Sequence, residues 1–214
     1  MIGRRSLVLG TPFLLAGCVT SRPPDTAGPS LLNPYSVMYG AITTEPFPVP
    51  AIDLSEVDPR FLRREVDYPT REPAGTVVVD VRERYAYLVG EHGRAIRYGV
   101  GVGREEAFNF KGTATIARKA AWPRWTPTPD MIRREPERYG PYAGGMPGGP
   151  ANPLGARALY LYRDGRDTYY RLHGTTEPQT IGTMVSSGCV RFMNQDIIDL
   201  YGRVPVGSRV VVLS

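Results

Sequence analysis

From Gly75 onward, the chain alternates between short apolar, β-branched runs and polar turns that contain glycine or aspartate. Runs of this length, bounded by turn residues, are typical of β-strands, and the brief polar turn between the first two predicts a hairpin. The pattern therefore predicts a mainly β domain, with strands at 76–81, 85–89, 95–102, 113–118, 158–162, 169–172 and 209–213.

One segment near the C-terminus has a helical pattern instead. Ile197, Ile198 and Tyr201 share one face at helical spacing, and Asn194 precedes them as a candidate N-cap. We therefore predict a helix over 195–201. A short helix over 54–64 and a helical turn at 131–135 are further expectations, so the predicted fold class is mainly β with one or two short helices.

The N-terminal third of the chain lacks this strand pattern. Residues 1–17 combine a basic start with an apolar run too short to span a bilayer, which is typical of a secretory signal. Residues 18–34 are rich in proline and serine and predict a flexible tether. Residues 35–74 hold several prolines and short apolar pieces, so we expect an irregular lead-in to a main domain at 75–214.

The signal ends in Leu-Ala-Gly-Cys at residues 15–18, which resembles a bacterial lipobox. The resemblance implies that Cys18 carries a lipid, that the mature chain begins there, and that it is anchored on the periplasmic face of the envelope. Val19 in place of aspartate favours the outer membrane. The two cysteines alone permit one disulfide, but lipidation of Cys18 would leave Cys189 as an unpaired thiol.

The proline-rich residues 122–130 do not fit a central strand, and the glycine-rich residues 144–150 predict a long loop. Long loops in compact domains are often functional, but a surface insertion without a role is an equal alternative. Trp122 and Trp125 either floor a substrate groove or contribute only to packing.

Charge and metal-binding residues exclude two classes of function. The formal net charge of +5 falls to about +3 without residues 1–17, and basic residues are scattered among acids, which argues against a nucleic-acid binder. Two histidines and one unpaired cysteine fall short of the usual zinc ligand sets, so we expect no metal. We expect His92 to face solvent in a turn.

Residues 173–191 carry the candidate chemistry. His173 ends a predicted strand, and Ser186-Ser187-Gly188-Cys189 follows. A glycine turn before Cys189 would expose its thiol and direct the amides of Gly188, Cys189 and Ser187 at one point, where they could hold an oxyanion. An imidazole can accept the thiol proton and return it to a leaving amine. A buried structural cysteine and histidine are the alternative, because spacing does not prove contact.

This segment resembles the L,D-transpeptidase catalytic domain (YkuD type) of bacterial cell-wall enzymes. That family's signature is His-Gly, a gap, then Ser-His-Gly-Cys, an apolar residue, Arg or Asn, and a later Asn. The chain supplies these residues at 173–174, 186, 188–191 and 194. Runs at 122–129, 148–160 and 204–207 extend the resemblance to the ErfK/YbiS branch, over residues 75–214, and imply a β-sandwich-like catalytic fold.

The resemblance implies a role for each matching residue. Cys189 would be the nucleophile and His173 the proton donor and acceptor, with the carbonyl of Gly174 orienting the imidazole. Gly188 would supply an oxyanion amide. Ser187 replaces the family's histidine in the oxyanion loop, so that role passes to a hydroxyl or is lost. The candidate substrate-binding residues are Arg191, which could equally form a structural ion pair, Thr175, Trp122 and Trp125.

The resemblance also implies the reaction. The thiolate would attack a peptidoglycan tetrapeptide stem, release D-alanine through a thioester, and pass the acyl group to an amine of another stem, giving a 3–3 crosslink, or of an envelope protein. No metal or organic cofactor is implied. Two alternatives stay open: a carboxypeptidase that uses water as the acceptor, and a non-catalytic lipoprotein that binds peptidoglycan, which the Ser187 substitution keeps in consideration.

Overall fold

A computed structural model describes residues 33–105 and 108–213; the predicted signal, Cys18 and nearly all of the predicted tether lie outside these residues. The described residues form eleven strands, four α-helices and short 3₁₀ turns. The strands are β1 Arg64–Asp67, β2 Val77–Asp80, β3 Tyr85–Val89, β4 Arg94–Gly99, β5 Val102–Gly103, β6 Gly112–Ala121, β7 Arg157–Arg163, β8 Arg166–His173, β9 Met184–Ser186, β10 Val190–Arg191 and β11 Arg209–Leu213. The helices are α1 Pro34–Met38, α2 Pro129–Arg134, α3 Pro136–Tyr139 and α4 Asn194–Arg203.

Nine of these strands form one sheet, in the order β1-β4-β3-β2-β11-β6-β7-β8-β10. Most neighbours are antiparallel, but β11 pairs with β2 and β10 pairs with β8 in parallel. The strands β5 and β9 form a second, two-stranded parallel sheet. The prediction of a mainly β fold is confirmed.

The main core lies between one face of the large sheet and α4. Alternate residues such as Val77 and Val79 of β2 and Leu159 of β7 are fully buried, together with Ile197 and Leu200 of α4. Burial of apolar surface on this scale is the main favourable term in folding. None of the helices in the described segments has the length and apolarity needed to cross a membrane.

The helix predicted over 195–201 is confirmed and extends to Arg203, but its predicted cap is wrong. Asn194 is the first helical residue, Met193 occupies the cap position, and no side chain caps the helix. The amide side chain of Asn194 is instead engaged with two loops outside the helix. Those contacts bridge distant parts of the chain, so local sequence could not reveal them.

The lead-in packs on the main domain through a second, smaller core. Tyr39 and Phe61 pack with Ile181 and Met193 in this cluster. The prediction of a helix over 54–64 is wrong, because only a 3₁₀ turn at Pro59–Phe61 forms there. Proline restricts the preceding residue to extended conformations, and Asp58 is extended at ψ 122°, which interrupts any longer helix.

All seven predicted strands are present, but the run at 95–102 divides into β4 and β5, and β1, β9 and β10 were not predicted. Strand β1 is a charged edge strand, Arg-Glu-Val-Asp, without apolar alternation. Strand β10 has two residues and exists through its pairing with β8. Such strands depend on a partner distant in sequence, so periodicity does not reveal them.

Candidate active site

The pairing of β8 with β10 brings the two candidate catalytic residues to one side of the sheet. Val190 lies beside Leu172 and Arg191 beside His173. Successive side chains on a strand point to opposite faces. Because Leu172 and Val190 are buried in the main core, His173 and Cys189 face the other side. Both line a cleft of about 590 Å³ on that side.

Ser186 organises the turn that presents the thiol. Its Oγ donates to the carbonyl oxygen of Cys189 at 2.6 Å and accepts the N–H of Gly188 at 3.0 Å. Gly188 has φ +127°, and the carbonyl oxygen of Phe108 occupies the place where a side chain would begin. Only glycine fits such a position. The turn leaves Cys189 half-buried at the edge of the cleft.

The predicted oxyanion role of Gly188 does not agree with this geometry. Its amide is already bonded to Ser186 Oγ, so it is not directed at a reacting carbonyl. Of the three amides predicted to surround the oxyanion, those of Ser187 and Cys189 are left as candidates. Ser187 is exposed and lines the cleft.

His173 is held in one tautomer by its neighbour. Its Nδ1 lies 2.6 Å from the carbonyl oxygen of Gly174. A carbonyl only accepts, so Nδ1 carries the proton and Nε2 is left as the basic nitrogen. Burial, reinforced by the positive charges of Arg191 and Arg171, lowers the pKa of His173 to about 4, and the bond to Gly174 only partly offsets this.

The thiol of Cys189 is un-ionised at neutral pH. Burial raises its pKa above the usual range, although the charges of Arg171 and Arg191 and the amide of Arg171 act in the opposite direction. The Sγ atom lies 3.8 Å from the carbonyl oxygen of Tyr169, which suits a thiol donor. The resting site therefore holds a neutral thiol and a neutral imidazole. Cys189 is a free cysteine within the part of the chain that the structure describes.

Two arginines flank the pair, and each is held by a carboxylate. Arg191 lines the cleft and forms an ion pair with Glu177 at 2.9 Å. Arg171 makes two hydrogen bonds to Asp167, at 2.6 and 2.8 Å. For Arg191, the structure thus shows the ion pair that was one of its two predicted roles.

Of the three remaining predicted substrate-binding residues, one lines the cleft and two do not. Trp125 lines the cleft beside Tyr139 and Tyr142. Trp122 is not part of the lining: its Nε1 donates to Glu45 at 2.9 Å, and its ring packs edge-on against Phe47 in the lead-in.

Thr175 is also absent from the cleft lining. It is buried, and its Oγ1 accepts the N–H of Glu177 at 3.0 Å. The prediction that Trp122 and Thr175 bind substrate is therefore wrong. Trp122 packs against the lead-in, and Thr175 stabilises the loop that follows β8.

Two residues in the motif have structural roles that sequence reasoning did not assign. Ser186 stabilises the nucleophile turn, and the short Ser-x-Gly spacing is a signal that could have indicated it. The side chain of Asn194 donates a hydrogen bond to the carbonyl oxygen of Thr175, two residues beyond His173, and no local pattern predicts this bond. His92 is exposed in the turn between β3 and β4, as expected. Within the described ranges, no cluster of three His, Cys, Asp or Glu side chains could hold a metal.

Comparison with known proteins gives consistent matches across this region. A sequence profile of the L,D-transpeptidase catalytic domain (YkuD) matches residues 74–212. The chain is 37% identical over 141 residues to the probable L,D-transpeptidase ErfK/SrfK of Escherichia coli, covering 64% of this chain and 43% of that protein. It is 42% identical over 113 residues to the probable L,D-transpeptidase YbiS of Escherichia coli, covering 52% and 35%.

A solved structure from Brucella melitensis, described as a probable carnitine operon oxidoreductase, is also similar. It is 48% identical with a TM-score of 0.51, and the match covers 75% of this chain and 99% of that one. The chain spans less than half the length of the two Escherichia coli relatives. The profile covers more than half of the chain. The chain therefore belongs to the L,D-transpeptidase catalytic domain family.

Proposed function

We propose that this protein is a cysteine acyltransferase that acts as an L,D-transpeptidase on peptidoglycan stem peptides. The observation that carries the proposal is the shared cleft of Cys189 and His173, with Nδ1 of His173 bonded to the Gly174 carbonyl. That bond leaves Nε2 available as a general base. Membership of the family supports the substrate class.

The first half-reaction makes a thioester. Nε2 of His173 takes the thiol proton as Cys189 Sγ attacks the carbonyl carbon of the third stem residue. The amides of Ser187 and Cys189 stabilise the negative oxygen of the tetrahedral intermediate. The intermediate collapses as the peptide C–N bond breaks, and the imidazolium returns the proton to the nitrogen of the departing D-alanine.

The second half-reaction transfers the acyl group to an amine, which attacks the thioester carbon while His173 accepts a proton from its nitrogen. The thiol of Cys189 is regenerated with that proton. An amine on another stem would give a 3–3 crosslink, and an amine on an envelope protein would join that protein to the wall. Water as the acceptor would make the protein a carboxypeptidase, and a protein that only binds the stem would form no thioester.

We also propose that Cys18 is lipidated and holds the protein on the periplasmic side of the envelope, with the outer membrane favoured. The lipobox-like residues 15–18 support this. Palmitate labelling of the cells is expected to mark the wild-type protein and to be lost in Cys18→Ala. Equal labelling of the two would overturn the anchor without affecting the enzymatic proposal.

Intact-mass measurement on the purified protein tests the reaction. Incubation with a tetrapeptide stem should add the mass of the stem without its D-alanine to Cys189, and an added amine should discharge it as a crosslinked product. Cys189→Ala should show neither mass change nor product. Crosslinking retained in Cys189→Ala would refute the proposal, and a hydrolysed product alone would identify a carboxypeptidase.

A further inference from the structure

The cleft carries more positive than negative charge. Its lining includes three arginines, Arg134, Arg138 and Arg191, and one carboxylate, Asp130. Two of these arginines already have acidic partners outside the lining: Arg191 pairs with Glu177 and Arg138 with Glu135. These pairs compensate two of the three positive charges.

The third cleft arginine, Arg134, is the last residue of α2 and is exposed. No carboxylate forms an ion pair with it among the residues that the structure describes. Asp130, the acid of the lining, pairs with Arg133 instead. Glu135, the next residue along the chain, is shared by Arg138 and Arg104.

Contacts through Phe108 place Arg134 beside the nucleophile turn. The guanidinium carbon lies 4.9 Å from the centre of the Phe108 ring, a cation–π distance. The carbonyl oxygen of the same Phe108 packs directly against Gly188, the residue before the nucleophile. A single residue therefore separates the guanidinium from the turn that presents Cys189. A guanidinium can interact with an aromatic ring and still donate hydrogen bonds from its N–H groups.

We propose that Arg134 binds a free carboxylate of the acyl-donor peptide, and so makes the cleft select anionic stems over stems in which that carboxyl is amidated. The inference rests on the proposed function for the identity of the donor. The paired N–H groups of arginine match a carboxylate in a way that an amide does not, because an amide lacks the charge and the second acceptor oxygen. Arg134 is thus a specificity-determining residue of the donor site.

Alkylation of Cys189 tests the charge effect without any catalysis. The purified protein is treated with iodoacetate, an anion, or with neutral iodoacetamide, and modification of the Cys189 peptide is followed by mass spectrometry. Arg134→Gln should lower the iodoacetate-to-iodoacetamide rate ratio by about threefold or more at low ionic strength, an effect that shrinks with added salt. Arg71→Gln is the control: it removes one exposed arginine charge outside the cleft lining without freeing a cleft carboxylate, and it should leave the ratio unchanged.

Peptide donors test the selectivity itself. Arg134→Gln should raise KM for a donor with free carboxylates by about tenfold, the scale of a charged hydrogen bond, while KM for the amidated donor and kcat for both stay within about twofold. For the donor with free carboxylates, the KM of Arg134→Lys should lie between those of wild type and Arg134→Gln. Lysine keeps the positive charge but lacks the paired N–H groups of arginine. Equal KM changes for both donors, or none, would overturn the inference while crosslinking stands. If neither donor reacts with the wild-type protein, the proposed function fails. Separately, an unchanged alkylation ratio in Arg134→Gln would overturn the role of the Arg134 charge.

Discussion

The side chain of Asn194 donates a hydrogen bond to the carbonyl oxygen of Thr175, at 2.9 Å, two residues beyond His173. Its Oδ1 accepts the N–H of Ala156, also at 2.9 Å. The first residue of α4 thus joins the backbone after β8 to the backbone before β7. Gly174 lies between His173 and Thr175, so this clamp restrains the carbonyl that orients the imidazole.

Replacing Asn194 should weaken both the fold and the site. Asn194→Ala leaves two backbone groups without partners, and each such loss costs about 1–3 kcal/mol when the group is buried. We expect a lower Tm and slower single-turnover acylation of Cys189. Asn194→Asp, which can still accept from Ala156 but cannot donate to Thr175, should be intermediate. A Tm and acylation rate equal to wild type in Asn194→Ala would refute the clamp.

The close packing of Gly174 gives a second test with an internal control. A Cβ at Gly174 would overlap Asn194 Oδ1 and lie 3.1 Å from the amide nitrogen of Ala156. Gly174→Ala should therefore destabilise the protein by about 1–3 kcal/mol, the usual cost of overpacking. Gly202 lies in α4 and has open space where a methyl group would stand, so Gly202→Ala should stabilise the protein by about 0.5–1 kcal/mol. Denaturant unfolding of both variants measures the contrast, and equal shifts would contradict it.

The lowered pKa of His173 predicts the acidic limb of the pH profile. Because that pKa is about 4 in the folded protein, Nε2 stays unprotonated and able to act as a base through pH 5–6. Acylation of Cys189 should therefore persist in this range, with no loss at the pH where an ordinary histidine gains its proton. The rate of acylation by a peptide donor, measured from pH 4 to 8, tests this. A fall centred near pH 6.5 would show that the imidazole titrates normally.

The same shift has a consequence for stability. As pH falls from 6.5 towards 4, the unfolded chain protonates His173 while the folded protein does not, so the free energy of unfolding decreases over this range. His173→Gln should remove that part of the acid sensitivity. Thermal unfolding of both proteins between pH 4 and 7 measures it; parallel curves would contradict the expected contribution.

Asp196, at the buried contact between α4 and the lead-in, should produce the opposite trend. Tyr39 donates to its Oδ2 at 3.2 Å, and Arg63 lies 3.7 Å from Oδ1. Burial raises the pKa of Asp196 to about 7, although Arg63 and the bond from Tyr39 oppose this. Between about pH 4 and 7 the folded protein holds a proton that the unfolded chain has lost, so this carboxyl's stabilising contribution declines as pH rises.

Asp196→Asn, which cannot ionise, tests that trend. Its Tm relative to wild type should increase between pH 4 and 7, by about 2–4 °C for each kcal/mol involved. Asp130→Asn, at an exposed carboxylate on α2, is the control for general charge effects and should show no such change. A constant difference between Asp196→Asn and wild type across this range would show that Asp196 stays ionised.

The elements that depend on local pattern are the ones that the sequence predicted. The seven apolar runs became strands, and the spacing of Ile197 and Tyr201 predicted α4, because the periods of strands and helices are properties of neighbouring residues. The family motif likewise identified His173 and Cys189 as candidates, since residue types and their order are visible along the chain.

What the sequence by itself determined, then, was the fold class, the family and the identity of the candidate pair. Only the tertiary structure decided that Asn194 clamps two loops instead of capping its helix, that Trp122 packs on the lead-in, and that the amide of Gly188 is occupied. The contacts of Asn194 and Trp122 depend on which strands and loops meet in space. The amide of Gly188 is occupied because Ser186 Oγ competes with other acceptors for that donor. Local propensity contains no information about that competition, because it is settled only when the whole domain has packed.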